Sequence, residues 1–431
     1  MSNPRILLIK PPSVSVDDDR VEPPLGLLYV ASNLRTAGFS NVALYDMSGC
    51  KDEQEISARI KAIPDADVFG INVYCTTHEY AKLSVNEIRS RGNDAYILVG
   101  GPNPTGVPKF TLEDIDADAV VVGEGENAFV NCLDSYSEGR PLRGILQATP
   151  RNDIDSYPFP ARDLVDYSTY SRRLMGKPVV SLLSSRGCVH HCIHCNSVVV
   201  GGGMHNVRYR SPENVASELE HVRKINDGHV RFNDDCFTGN PDLLKMLDVI
   251  GSLDVKFRVF ACVEDLTQEV SKELADAGCV HLSIGVESMD PENLKAIGKT
   301  RQLGKESNIR IAKDHGLIVR SSFMVGLPND SDENIEKYFS EAAKLGIDEF
   351  AIYPLIPYPG TAIARFPERF GYEITDQNFT NYIQMGRGGQ TCFALKHKNF
   401  NENDVKRWLY IASEILEAGG AKHMRESKIA R

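Results

Sequence analysis

Three cysteines, Cys188, Cys192 and Cys195, stand in the run SSRGCVHHCIHC, spaced three and then two residues apart. Thiolates bunched this tightly on one loop fit the ligand set of a single iron–sulfur cluster. A four-iron cluster is normally held by four thiolates. With only three in reach, one iron stays open, and an open iron can bind a small chelating ligand and pass it an electron. Zinc is the other chemistry the run permits. Structural zinc takes four ligands, and His190, His191 or His194 could supply the fourth. Spacing alone leaves both readings open.

The elements around this loop follow a regular alternation. VVSLLSS reads as a buried strand that delivers the chain into the cysteine run. GHVRFNDD, VKFRVFACV, VHLSIGVES, LIVRSSFMVGLP and DEFAIYPLIP read as further strands, with amphipathic segments such as NVASELEHV, DLLKMLDVIG and NIEKYFSEAAKLG between them. About six strand–helix units over residues 177–361 predict a partial (β/α)6 barrel of parallel strands, with its site at their carboxyl ends. Several polar residues stand at predicted strand ends: Asp234 and Asp235 in FNDDCF, and Glu287 in GVES. As bare sequence these are equally helix caps or surface ion pairs.

Residues 1–139 form a second alternating unit. RILLI, NVALYD, DVFGINVY, AYILVGG and DAVVVGEGE read as continuous apolar strands separated by helices. That pattern predicts α/β architecture, a doubly wound parallel sheet covered on both faces, with ligands at the strands' carboxyl ends. Gly100, Gly101, Gly123 and Gly125 would let backbone approach a large flat ligand closely. Residues 140–176, with Pro141, Pro150, Pro158 and Pro160, read as an extended connector laid across the surface. Residues 362–431 form a small helical tail that carries the only tryptophan, Trp408.

The composition is that of a globular chain, with net charge −11 and a pI near 5.6. This argues against non-specific nucleic-acid binding, which wants a basic face. No apolar run is long enough to span a membrane. MSNPRILLIKPP lacks the apolar core of a signal peptide. Ten cysteines without a secretory context are expected to be reduced, in a cytoplasmic setting. Most of the seven outside the run read as core residues. Cys236, beside the Asp pair, and Cys392, in the tail, are the two that invite a chemical role.

C-x3-C-x2-C after a first barrel strand resembles the radical S-adenosylmethionine (SAM) superfamily. In the same order follow FNDDCF, GVES, FMVGLP at 323–328 and YPLIPYPGT at 353–361. PPLGLLYVASNLRTAG, VGGPNPT and DAVVVGEGE resemble the cobalamin-binding domain fused to many such enzymes, and PFPARD its linker. The resemblance implies a 4Fe-4S cluster on Cys188, Cys192 and Cys195 whose open iron binds SAM. It implies SAM contacts from His194, Asp234 or Asp235, Glu287, the backbone of Val325 and Gly326, and Arg320 for the carboxylate. It implies cobalamin on Gly100, Gly101, Gly123, Glu124 and Gly125. One departure is informative: the cobalt-ligating D-x-H-x-x-G motif is absent, and YDMSGC places Ser48 where its histidine would stand. If cobalamin binds, histidine is not expected to hold its lower face.

The function this implies is hydrogen abstraction from a small-molecule substrate, followed by cobalamin-dependent C-methylation, with electrons from a flavodoxin- or ferredoxin-like donor. The alternative is radical dehydration, deoxygenation or rearrangement with cobalamin passive or absent. A non-catalytic cobalamin-binding regulator is a third reading, against which the cysteine loop and the strand-end carboxylates argue.

Overall fold

The structure, a computed structural model, describes residues 3–13, 16–92, 94–201, 206–225, 229–384, 386 and 390–425. Six strands, β1 (Ile6–Lys10), β2 (Val42–Asp46), β3 (Val68–Asn72), β4 (Tyr96–Gly100), β5 (Ala119–Val122) and β6 (Gly144–Gln147), form one sheet in the order β2-β1-β3-β4-β5-β6. Every pairing in it is parallel. Side chains alternate between the faces. Leu7, Ile9, Phe69, Ile71, Ile97 and Val99 pack with α2 (Glu53–Lys61) and α3 (His78–Ser90). Ile6, Leu8, Val68 and Leu98 pack with α1 (Leu25–Thr36) and α4 (Gly125–Ser137). Burial on both faces is why these strands read as unbroken apolar runs.

The second sheet holds six parallel strands in chain order: β7 (Lys177–Leu182), β8 (His229–Phe232), β9 (Phe257–Ala261), β10 (Cys279–Glu287), β11 (Ile318–Val325) and β12 (Glu349–Pro354). It curls into a half-barrel. Lys422–His423 adds to one edge and Arg173–Leu174 to the other. One set of alternating residues, among them Val180, Leu182, Val230, Phe232, Val259 and Ile284, packs in the main core with α5 (Pro212–Ile225), α6 (Leu243–Gly251) and α7 (Gln268–Asp276). The other set, Ser181, Arg231, Arg258, Ser283 and Arg320, is polar, so the two faces of this sheet differ sharply in chemistry.

The connector lies across the surface, but a few buried side chains pin it down. Ile154, Tyr157, Ala161, Arg162 and Tyr170 are buried. Arg162 pairs with Glu218 of α5 at 2.8 Å, both side chains fully out of solvent, and donates to the Ser181 carbonyl at 2.7 Å. A proline-rich composition marks a chain without regular elements, and it does not say whether side chains point outward. The first sheet also runs on into this segment through β6.

The tail stitches the two units together. Cys392, Tyr382 and Ala394 share a small apolar cluster with Cys75 of the first unit and Ile356 after β12. Cys392 is thus a packed thiol, raised by burial to about 11. No described helix is long and apolar enough to cross a membrane.

Candidate active site

The carboxyl ends of both sheets face one cavity of about 500 Å³. Asn72, Gly100, Gly101 and Gly123 line one wall; Gly187, Asn196, Ser197 and Asp235 line the other. Gly125 and Glu124 complete the first wall. Gly101 has φ +112°, and a Cβ there would lie 2.9 Å from the Val73 carbonyl oxygen, so only glycine fits this turn. The cavity is mostly apolar and deep, a shape suited to a large flat ligand.

No histidine among the described residues lines this cavity. Ser48 is fully buried and does not reach it. Its amide donates to Asp46 Oδ1 at 2.9 Å, and the Tyr170 hydroxyl donates to Asp46 Oδ2 at 2.6 Å. The D-x-S segment is therefore built into the domain's frame.

Cys188, Cys192 and Cys195 lie on the loop after β7, and all three are free thiols, half-buried. The Cys195 amide donates to the Cys192 carbonyl at 3.1 Å, which folds the last two together. Burial pushes Cys188 up to about 11 and Cys192 to about 12, and the Lys299 ammonium acts against it at both. Thiols this reluctant to ionise alone become thiolates on coordination, so the donor set fits a cluster.

The sequence-predicted contacts divide into two groups. Asp235 lines the cavity and accepts from Ser197 Oγ at 2.6 Å. Glu287 closes β10 at a bulge with φ +62°, its Oε1 3.3 Å from Lys299 Nζ. His194 sits close enough to both charges to feel them, and burial lowers its pKa so that the ring stays neutral. These gather around the cysteines.

Four others hold partners within the protein. Asp234 is buried and accepts from the Ser184 amide, the Ser184 hydroxyl at 2.7 Å and the Ser185 hydroxyl, so it anchors the cysteine loop rather than facing a ligand. Arg320 stands near the amino end of β11 and forks onto Glu349, away from the cavity. Gly326 gives its carbonyl to the Tyr372 hydroxyl at 2.6 Å and its amide to Asp330. The Val325 carbonyl accepts from the Leu355 amide at 3.0 Å. In each case the structure gives the polar group a local partner that a strand-end motif does not show.

Sequence reading missed two residues. Lys299, 7 % exposed, acts on both Cys188 and Cys192 and also donates to the Gly285 carbonyl. Glu22 crosses from the first unit into the second, where it pairs with Arg231 and with Arg172 at 2.8 Å and accepts from Ser181 Oγ at 2.6 Å. Burial alone would raise its carboxyl, but Arg231 and Arg172 outweigh that and hold it far below the ordinary range. Glu124 makes the second bridge, to Arg208 and to Arg186 at 3.0 Å.

Family comparisons agree with this geometry. Residues 182–342 match the model described as the radical SAM superfamily, and residues 18–133 match the B12 binding domain. An uncharacterised methyltransferase of Pyrococcus horikoshii is 32 % identical, across 94 % of this chain and 90 % of its own. Bacteriochlorophyllide d C-12(1)-methyltransferase of Chlorobaculum tepidum is 24 % identical over 84 % of this chain and 77 % of its own. The fold matches the radical SAM methyltransferase TsrM of Kitasatospora setae, solved with cobalamin and a [4Fe-4S] cluster, with a TM-score of 0.71 and 18 % identity over 97 % of this chain and 89 % of that one. A three-cysteine loop and a glycine-turned wall, facing each other across one cavity, thus place the chain in the radical SAM superfamily, among its members with an amino-terminal cobalamin-binding domain.

Proposed function

We propose that this chain is a cobalamin-dependent radical SAM methyltransferase whose small-molecule substrate binds in the cavity between the two sheets. One observation carries the reading: the cysteine loop and the glycine turns form opposite walls of a single enclosure. When bound, the cluster and SAM supply a hydrogen-abstracting radical, and cobalamin supplies a methyl group.

The chain's own residues position and shield these groups. Cys188, Cys192 and Cys195 would hold the cluster. Lys299 would meet a carboxylate beside it, and Glu287 and Asp235 would accept hydrogen bonds from an ammonium or hydroxyls. Gly100, Gly101, Gly123 and Gly125 would let the corrin edge lie against backbone. Leu8, Tyr29, Val99 and Phe129 keep the cavity wall apolar, which protects a radical from water. We assign the electrons to a flavodoxin- or ferredoxin-like donor and place the enzyme in the cytosol, where such donors and reduced thiols occur.

The test is anaerobic purification and reconstitution with iron, sulfide and hydroxocobalamin, followed by incubation with SAM and a reductant. About four irons per chain, lost in the Cys188→Ala/Cys192→Ala/Cys195→Ala variant, with one cobalt and release of 5′-deoxyadenosine, is expected. S-adenosylhomocysteine among the products marks methyl transfer. Iron without cobalt turns the reading to dehydration or rearrangement, and zinc without iron sinks it.

A further inference from the structure

Behind the cysteine loop lies a second group of metal-binding side chains. His190, between Cys188 and Cys192, is 6 % exposed and turns its Nε2 toward Cys262, 3.2 Å from that sulfur. Cys262 follows β9, and Cys236 follows β8; the two are 9 % and 5 % exposed and their sulfurs are bonded to each other. This pair departs from the expectation of reduced thiols. The ligand atoms of His190, Cys236 and Cys262 all lie within 4.8 Å of one another.

A fourth donor stands beside His190, outside that three-residue group. Glu264, with its side chain 7 % exposed, sets Oε1 3.2 Å from the same His190 Nε2. Both of its carboxylate oxygens are buried and accept no hydrogen bond. The nearest guanidinium, of Arg301, stands 3.6 Å away. That ion pair, to a guanidinium 53 % exposed, offsets part of the cost of a buried carboxylate without hydrogen bonds, and a bound cation would offset the rest.

We propose that His190, Cys236, Cys262 and Glu264 form a second metal site, distinct from the cluster and suited to zinc(II). Two thiolates, an imidazole and a carboxylate make a tetrahedral N/O/S set. Bonds of about 2.0–2.3 Å place tetrahedral ligands roughly 3.3–3.8 Å apart. The spacings of His190 to Cys262 and to Glu264 already approach that, and the two sulfurs must part. An outer shell is present: Thr238 Oγ1 donates to Asp265 Oδ2 at 2.9 Å, accepts from the Cys262 amide at 3.0 Å and lies 3.6 Å from Cys236 Sγ.

Filling the site requires the dithiol. Two electrons and two protons from a thiol or phosphine reductant convert the disulfide to two thiols. The metal then displaces both thiol protons to solvent as the two metal–sulfur bonds form. The ion would tie the cysteine loop to the ends of β8 and β9, because His190 belongs to that loop. Oxidation of the pair would release it.

The experiment uses the full-length reconstituted enzyme, reduced with a phosphine and dialysed anaerobically against zinc chloride. Bound zinc and iron are counted on the same sample. The expected result is about one more zinc per chain in the wild type than in Cys236→Ser/Cys262→Ser, with iron equal in both. Mild oxidation with diamide should remove that zinc. Equal zinc in the two proteins overturns the proposal. Iron missing from both speaks against the cluster reading and leaves the zinc difference readable. Should the double variant fail to fold, alkylation of reduced wild type followed by mass spectrometry decides: zinc should slow modification of Cys236 and Cys262 several-fold, and unchanged rates overturn the site.

Discussion

Asp330, just past β11, shows how a single side chain ties stability to pH. It accepts from the Leu327 amide at 2.9 Å and from Asn293 Nδ2 at 2.7 Å. Burial outweighs these bonds and pushes its carboxyl from 3.8 to about 7. Between those values the folded chain holds a proton that the unfolded chain has lost. Stability is therefore fully kept near pH 4 and declines as pH rises toward 7, by up to about 1.4 kcal/mol per pH unit for one such group. Urea unfolding of Asp330→Asn across this range should show a shallower decline than the wild type; an unchanged slope would refute the assignment. Burial also raises Asp234 and Asp235, so the decline is reduced rather than abolished. At this scale the sequence was unevenly legible. The cysteines were readable because three ligands on one loop must be close in sequence. Lys299 and Glu22 were not, because each reaches the site from a segment with no motif of its own.

Among the elements, the strands were read closely because burial on both faces leaves continuous apolar runs. β6 escaped because its four residues are alternately half-buried and exposed, a weak signal inside a proline-rich stretch. The connector's anchors escaped for a related reason: they are a guanidinium, aromatics and isolated apolar residues, not an apolar period. Arg162 and Arg210 converge on Glu218 of α5, whose side chain is fully buried. Removing one partner of such a set leaves uncompensated buried charge, at about 3–5 kcal/mol. Glu218→Ala should lower the denaturant midpoint accordingly, whereas Arg162→Met/Arg210→Met/Glu218→Leu should recover much of the loss. A Glu218→Ala midpoint equal to wild type would show that the connector is not anchored there.

The molecule as a whole depends on the joint between its two units. Alternation predicted two α/β bodies, each with its site at the strands' carboxyl ends, and the family resemblance implied that the first would cap the mouth of the second, as the shared cavity shows. Glu22 is one buried link, reaching Arg231 of the half-barrel and Arg172 of the connector. Glu22→Ala leaves both arginines poorly paired and should weaken docking by about 2–5 kcal/mol. Calorimetry is expected to show one unfolding transition in the wild type and two in the variant; a single unshifted transition would refute this role. The shared cavity also governs traffic. A molecule seated between two opposed walls is not released by loosening either wall alone; it leaves by the mouth, or when the seam parts. The seam is fastened by carboxylate–guanidinium pairs whose side chains are 22 % exposed or less, and salt screens such pairs far less than surface ones. For an occupant that leaves only when the seam parts, residence time is therefore a property of the seam, set by side chains that never touch it.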